Sequence, residues 1–337
     1  MPSNLRLYVR LPNWVGDVCM SLPSLYALQA TGLPLTICAR PWARDLLAGV
    51  APAHDFVPMR GAFRADRAAL RQQMRDSGAR GRDCRGLSLP DSLSSAAVMR
   101  LAGIPTAGYR DDGRSLLLRW PIDKPKAPLH AVESWYHLTR TALTSWNLPA
   151  GEEQPGPELG LTPTADQAAA ADTVLAAAGL ANGTDDAGRP FVLIAPTATG
   201  LHRGRNKVWP HFDALTQSLQ AQGVEVAMCP PPAEVDEARR NAPTARLLPA
   251  LGLGAFAALT TRAALVVCND SGVSHVAAAA GARQITLFGV TNRERTGPWS
   301  RAAICLGSDQ HWPAVSDVEP AVKACLESSG DLARITD

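Results

Sequence analysis

Short apolar stretches alternate with amphipathic or alanine-rich ones along this chain, and after a break the alternation starts again. Few folds accommodate that pattern, because strands separated by helices pair in parallel and bury both faces. Residues 5–11 read as a buried strand, 12–17 as a turn into a helix reaching to Gln29, and Leu35–Ala39 as a second strand. Residues 64–77 read as a helix, 86–89 as a strand, and 91–101 as a helix capped by Asp91 and stopped before Gly103 and Pro105. The break is the stretch 149–163, crowded with Pro, Gly and Glu, which reads as a linker. An alanine-rich helix over 165–178 and a polar loop over 181–190 follow. The alternation then resumes with strands at Phe191–Ala195, 224–229, 264–268 and Gln284–Phe288, and helices at 212–222, 234–240, 256–262 and Gly272–Ala280. The expected architecture is α/β, two doubly wound domains spanning 1–155 and 156–337 and facing across a cleft.

Composition narrows the function classes. Of 337 residues, 46% are hydrophobic and 19% charged, so the chain is globular, and a net charge of +2 excludes wholesale coating of nucleic acid. Charge is nonetheless uneven: residues 60–119 hold twelve Arg against six Asp, with no Lys and no Glu. Seven scattered cysteines form no C-x-x-C pair and no metal-type cluster with histidine, which suits a reducing cytoplasm and predicts no metal centre. The chain starts without a basic and apolar leader and has no run of eighteen apolar residues, so it is expected to touch a membrane only from outside.

Four segments can carry chemistry. In Pro12-Asn13-Trp14-Val15-Gly16-Asp17, between the first strand and the first helix, Asp17 either caps the helix or accepts a proton from a hydroxyl. The loop 195–210 follows the first strand of the second half. It gathers Thr197, Thr199, His202, Arg203, Arg205 and Lys207, a set of hydroxyls and cations suited to a diphosphate if it does not simply face water. In the run 268–275, Asn269-Asp270 ends an apolar strand and Ser271-Gly272 opens a helix. A side-chain oxygen there can cap the first turn while free amides favour an anion, and His275 serves at most to position a ligand. Fourth, Arg60, Arg64, Arg67, Arg71 and Arg75 fall within about 80° of one another if the helix reaches back to Arg60, a face suited to carboxylates, phosphates or solvent. Neither a G-x-G-x-x-G nor a G-x-x-x-x-G-K-[ST] motif is present, so no nicotinamide, flavin or P-loop site is expected.

Together these residues resemble family 9 glycosyltransferases, the bacterial ADP-heptose:lipopolysaccharide heptosyltransferases, and most of all the heptosyltransferase II branch. The likeness rests on Trp14-Val15-Gly16-Asp17, Leu89-Pro90-Asp91-Ser92 with Ala102-Gly103-Ile104-Pro105, Lys207-Val208-Trp209-Pro210, and Asn269-Asp270-Ser271-Gly272 continuing to Ala279 and Leu287-Phe288-Gly289. It implies a GT-B fold of two Rossmann-like domains, with an acceptor-binding half at 1–155 and a donor-binding half at 156–337. The implied reaction is an inverting transfer of L-glycero-D-manno-heptose from ADP-heptose to the inner core of lipopolysaccharide, at the cytoplasmic face of the inner membrane, with no cofactor. By position, Asp17 resembles the general base and Lys207 the lysine that neutralises the diphosphate. Thr197, Asp270, Ser271, Gly272 and His275 resemble donor-binding residues, Glu234 the acidic partner of the ribose, and 248–251 the adenine contacts. Asn13, Arg60 and Arg64 are assigned to an acidic acceptor, and Asp17 needs no raised pKa for its role. Two departures, the long basic loop 197–207 and the run Pro230-Pro231-Pro232, leave open a different nucleotide sugar or acceptor. A nucleotide-sugar epimerase or a non-catalytic nucleotide-binding protein on the same fold are further alternatives.

Overall fold

The computed structural model describes residues 5–181, 183–202 and 204–333; the side chains of 201, 202 and 328–333 lie outside that description. The chain divides into two compact units, one made of Met1–Arg44 with Ala51–Gly156 and the other of Asp45–Val50 with Pro157–Asp337.

The first unit is built on strands β1 (Arg6–Arg10), β2 (Leu35–Ala39), β3 (Asp55–Pro58), β4 (Cys84–Ser88), β5 (Thr106–Tyr109) and β6 (Trp120–Ile122), arranged β3-β2-β1-β4-β5-β6 with every neighbour parallel. Tyr8, Cys38 and Val57 from the sheet pack with Leu70, Met74, Val98 and Met99 from helices to form its core. Full burial of such side chains stabilises the fold by ~1.5–3 kcal/mol each. The helix expected to run to Gln29 is two helices, Val15–Met20 and Leu22–Gln29, broken at Ser21. The helix Leu93–Ala102 takes its cap from Ser92, whose hydroxyl accepts from the Ser95 amide at 3.2 Å, and ends in the left-handed Gly103. Asp91, the expected cap, is drawn off instead by Arg114 and Lys124, with N···O distances of 2.7 and 2.5 Å. An ion pair to a nearly buried guanidinium outweighs one exposed helix-end hydrogen bond.

In the second unit, hairpin strands β7 (Leu180–Ala181) and β8 (Thr184–Asp185) precede the sheet strand β9 (Phe191–Ala195), and a second small hairpin pairs β10 (Leu201–His202) with β11 (Arg205–Asn206). The sheet continues through β12 (Glu225–Met228), β13 (Arg246–Leu247), β14 (Leu265–Asn269), β15 (Gln284–Phe288) and β16 (Ala303–Gly307) in the order β13-β12-β9-β14-β15-β16, again all parallel. Trp209 is fully buried in its core, edge-on to Phe212 at 5.3 Å, and its indole N–H donates to the Pro313 carbonyl. The helix Ala165–Ala177 starts at a reciprocal pair in which Thr164 Oγ1 accepts from the Gln167 amide and Gln167 Oε1 from the Thr164 amide.

Each sheet reverses direction once. In the first unit the chain steps outward from β1 and then returns to its other side with β4; in the second it does the same about β9 and β14. Loops leaving the carboxyl ends of strands at such a reversal diverge and leave room for a ligand.

Candidate active site

Asp17 lies just beyond β1, at the reversal of the first sheet, as the third residue of the helix Val15–Met20. The helix is flanked by Trp14, which makes no side-chain cap. The Asp17 carboxylate is half-buried and has no hydrogen bond or ion pair among the described residues. Burial raises its pKa from the usual carboxylate range to about 6. It is therefore neither a helix cap nor an ordinary solvated acid. Nearby, Asn13 is exposed and its Oδ1 accepts from the Arg10 guanidinium, which also donates to the Leu11 carbonyl.

The expected arginine face changes in the structure. The helix spans Phe63–Asp76, so Arg60 falls in the loop before it and does not share the stripe. The loop is held by Asp66, whose two carboxylate oxygens accept the Arg60 and Gly61 amides at 2.8 and 2.9 Å. Arg71 donates to the Leu101 carbonyl and Arg75 to Gln72, which commits both to the protein's own structure. Arg64 remains exposed on the first turn.

In the second unit, the loop after β9 and the turn after β14 meet at the sheet reversal. Asn269, which ends β14, is fully buried. Its Oδ1 accepts the Trp209 amide at 2.8 Å, and its Nδ2 donates to the Ala195 and Thr197 carbonyls, both at 3.2 Å. One amide side chain thus fixes the β9 loop, the Lys207-Val208-Trp209-Pro210 block and the Asp270 turn to each other. Lys207, two residues from that anchor, is half-buried and makes no ion pair or hydrogen bond among the described residues.

The helix Gly272–Ala280 begins at Ser271, but no side-chain cap forms. The Ser271 hydroxyl oxygen is buried without a hydrogen-bond partner among the described residues. Asp270 and His275 are both buried, with Asp270 Oδ1 and His275 Nε2 3.9 Å apart. Thr197 and Glu234, expected to serve phosphate and ribose separately, are hydrogen-bonded at 2.5 Å, and Thr199 donates to the other Glu234 oxygen at 2.9 Å. The basic loop is a hairpin, and Arg205 is spent on the Val290 and Asp309 carbonyls. Of its other cations, Arg203 lies outside the described residues, as does the His202 side chain. Groups of His, Cys, Asp and Glu arranged to hold a metal are absent among the described residues.

Sequence reasoning named Asn269 only as part of a motif and gave no role to Arg10. Both had a signal: each is the polar last residue of a central strand whose inner positions are apolar, a position that stays buried and therefore needs a partner.

The sequence profile described as Glycosyltransferase family 9 (heptosyltransferase) matches residues 68–325. The chain belongs to glycosyltransferase family 9. As a member of family 9 it is a glycosyltransferase. It is 27% identical over 322 residues to lipopolysaccharide heptosyltransferase 2 of Escherichia coli K12, covering 89% of this chain and 87% of that one. With lipooligosaccharide heptosyltransferase 2 of Haemophilus influenzae it shares 28% over 314 residues, or 87% and 85% of the two chains. Among solved structures, ADP-heptose LPS heptosyltransferase II of E. coli superposes with a TM-score of 0.74 at 24% identity, covering 97% of this family 9 chain and 100% of the other. The E. coli heptosyltransferase WaaC with ADP gives 0.72 at 21%, covering 95% and 100%. These likenesses establish the GT-B fold.

Proposed function

We propose that this family 9 enzyme transfers a heptosyl group from ADP-L-glycero-D-manno-heptose to the acidic inner core of lipopolysaccharide, with inversion and with Asp17 as general base. The observation that carries the reading is the isolated Asp17 carboxylate at the sheet reversal of the first unit, with a pKa raised to about 6. A carboxylate disfavoured by burial is a stronger base than a solvated one, yet it is ionised at neutral pH. In a single displacement the acceptor oxygen bonds to the anomeric carbon as the bond to the diphosphate breaks. The electron pair leaves on ADP, the acceptor proton goes to Asp17, and the configuration inverts.

Charge on the departing diphosphate is met by Lys207, which has no partner among the described residues, and by the amides opening the helix Gly272–Ala280. The unpartnered Ser271 hydroxyl fits a phosphate oxygen, and Asp270, His275, Thr197 and Glu234 complete the donor side. This chemistry asks for no cofactor. Asn13, Arg60 and Arg64 serve the acceptor. Exposed Trp14, Phe63 and Leu93, in the loops or helix starts after β1, β3 and β4, support transient contact with the cytoplasmic face of the inner membrane. No helix among the described residues is long and apolar enough to cross one.

The test is a transfer assay with ADP-heptose and heptose-deficient core acceptor, together with thermal shifts across ADP-, UDP- and GDP-sugars. The reading expects ADP release matched by a heptose mass gain, and stabilisation by ADP-heptose alone. Binding of a UDP- or GDP-sugar in its place favours the other-donor reading.

A further inference from the structure

The arginines assigned to the acceptor by the sequence, Arg60 and Arg64, are not the first unit's only cations beyond the carboxyl ends of its strands. Arg10 ends β1 and Arg40 directly follows β2, on the same carboxyl edge of the sheet as Asp17. Arg10 is only 5% exposed, and its pKa is lowered by that burial and by the like charge of Arg40. The Arg40 guanidinium is half-buried and makes no hydrogen bond or ion pair among the described residues. It lies over Gly61, where an added Cβ would come to 3.1 Å from Arg40 Nη1. With φ of +86° in addition, any larger residue at Gly61 would be strained and would displace the guanidinium by a few tenths of an ångström.

Two like charges held together are costly unless something neutralises them. Asp66 is the carboxylate near Arg10 and its single charge offsets one of the two cations; its oxygens accept the Arg60 and Gly61 amides and make no ion pair with Arg40 among the described residues. The Arg10 donors are directed to Leu11 and Asn13, which leaves Arg40 as the open fork of the pair. A planar fork of N–H donors with a second cation behind it matches the two oxygens of a carboxylate or phosphate.

We propose that Arg40, backed by the buried Arg10, forms a subsite for an anionic oxygen group, carboxylate or phosphate, on the sugar acceptor. The assignment to the acceptor rests on the heptosyl-transfer reading; the anion subsite does not. Arg40→Ala should raise the acceptor KM about tenfold or more, while kcat at saturating acceptor and the affinity for ADP stay near those of the wild type. Arg40→Lys, which keeps charge without the fork, should recover part of the loss. Independently of turnover, inorganic phosphate added to ADP-saturated full-length protein should raise the Tm of the wild type and not that of Arg40→Ala.

An unchanged acceptor KM in Arg40→Ala overturns the proposal. If the phosphate shift is nonetheless lost, the site binds an adventitious ion only. If the wild type transfers no heptose, the functional reading fails and the phosphate shift alone decides: its loss in Arg40→Ala supports the subsite, and its persistence overturns it.

Discussion

At the scale of the residue, Asp17 links activity and stability with opposite signs. Its folded-state pKa of about 6 lies above the unfolded value of 3.8, so the folded protein holds this proton more tightly than the unfolded chain. The contribution of the group to stability is thus greatest below pH 4 and is lost as pH rises through 6. Asp17→Asn, which is neutral throughout, should exceed the wild type in unfolding free energy by on the order of 1–2 kcal/mol at pH 8, and the gap should close by pH 4. Denaturant titrations at the two pH values measure it. Transfer should respond the other way: kcat/KM of the wild type falls tenfold per pH unit below about 6, and Asp17→Asn loses ~10²–10⁴-fold in kcat with ADP affinity intact. A large loss of ADP binding in calorimetry would move Asp17 to the donor. Lys207→Ala should lower kcat/KM ~10²–10³-fold and weaken ADP binding together, because its ammonium has no structural partner among the described residues.

At the scale of the element, Asn269 is the piece on which the loops after β9 and β14 depend. Asn269→Ala leaves one amide and two carbonyls without their partner and should lower the unfolding free energy by ~2–4 kcal/mol. Asn269→Asp should be at least as harmful, because a carboxylate cannot donate to the Ala195 and Thr197 carbonyls. Chemical denaturation reads both variants. Residues of this kind mark the border of what could be read from sequence. Apolar periodicity gave β1, β2, β9 and β15 nearly residue for residue, because strands buried on both faces are continuous apolar runs. It missed the edge strands β3, β6, β13 and β16 and the near-edge β5, which are short, two to four residues, or in the case of β16 only partly buried, and so leave little apolar pattern to read. Local rules failed where a distant partner competed: Asp91, the expected cap, was taken by Arg114 and Lys124, and Arg205, expected to be open to a diphosphate, by two carbonyls far along the chain. The arginine series looked like one face only because the start of its helix, Phe63 and not Arg60, is fixed by Asp66 reaching back to two amides.

At the scale of the whole molecule, both sheets have the same strand order relative to their first strand, and both groups of chemistry-bearing residues occupy the reversal of that order. This is why motif positions were legible even where strand boundaries were not: a polar turn after a central strand has one place to go in such a sheet. The fold alone would not separate a transferase from an epimerase on the same scaffold; the family match makes that distinction. Mass action gives a direct check on the donor class. ADP-heptose at a hundredfold excess over its Kd should stabilise the native state by ~2.7 kcal/mol, and UDP-sugars at the same concentration should leave Tm unmoved.

The second unit is not one uninterrupted piece of chain, since six residues, Asp45–Val50, join it from far upstream. Within it the Asp45 carboxylate accepts the Gly254 amide at the start of the helix Leu253–Arg262 and the side-chain amide of Gln167. A gene fragment encoding only residues 157–337 would therefore be born with an unfilled socket at two helix starts, and should melt earlier than the same unit in the intact protein. Anyone wishing to isolate the second unit would do better to graft the missing hexapeptide back through a circular permutation than to trim at the linker.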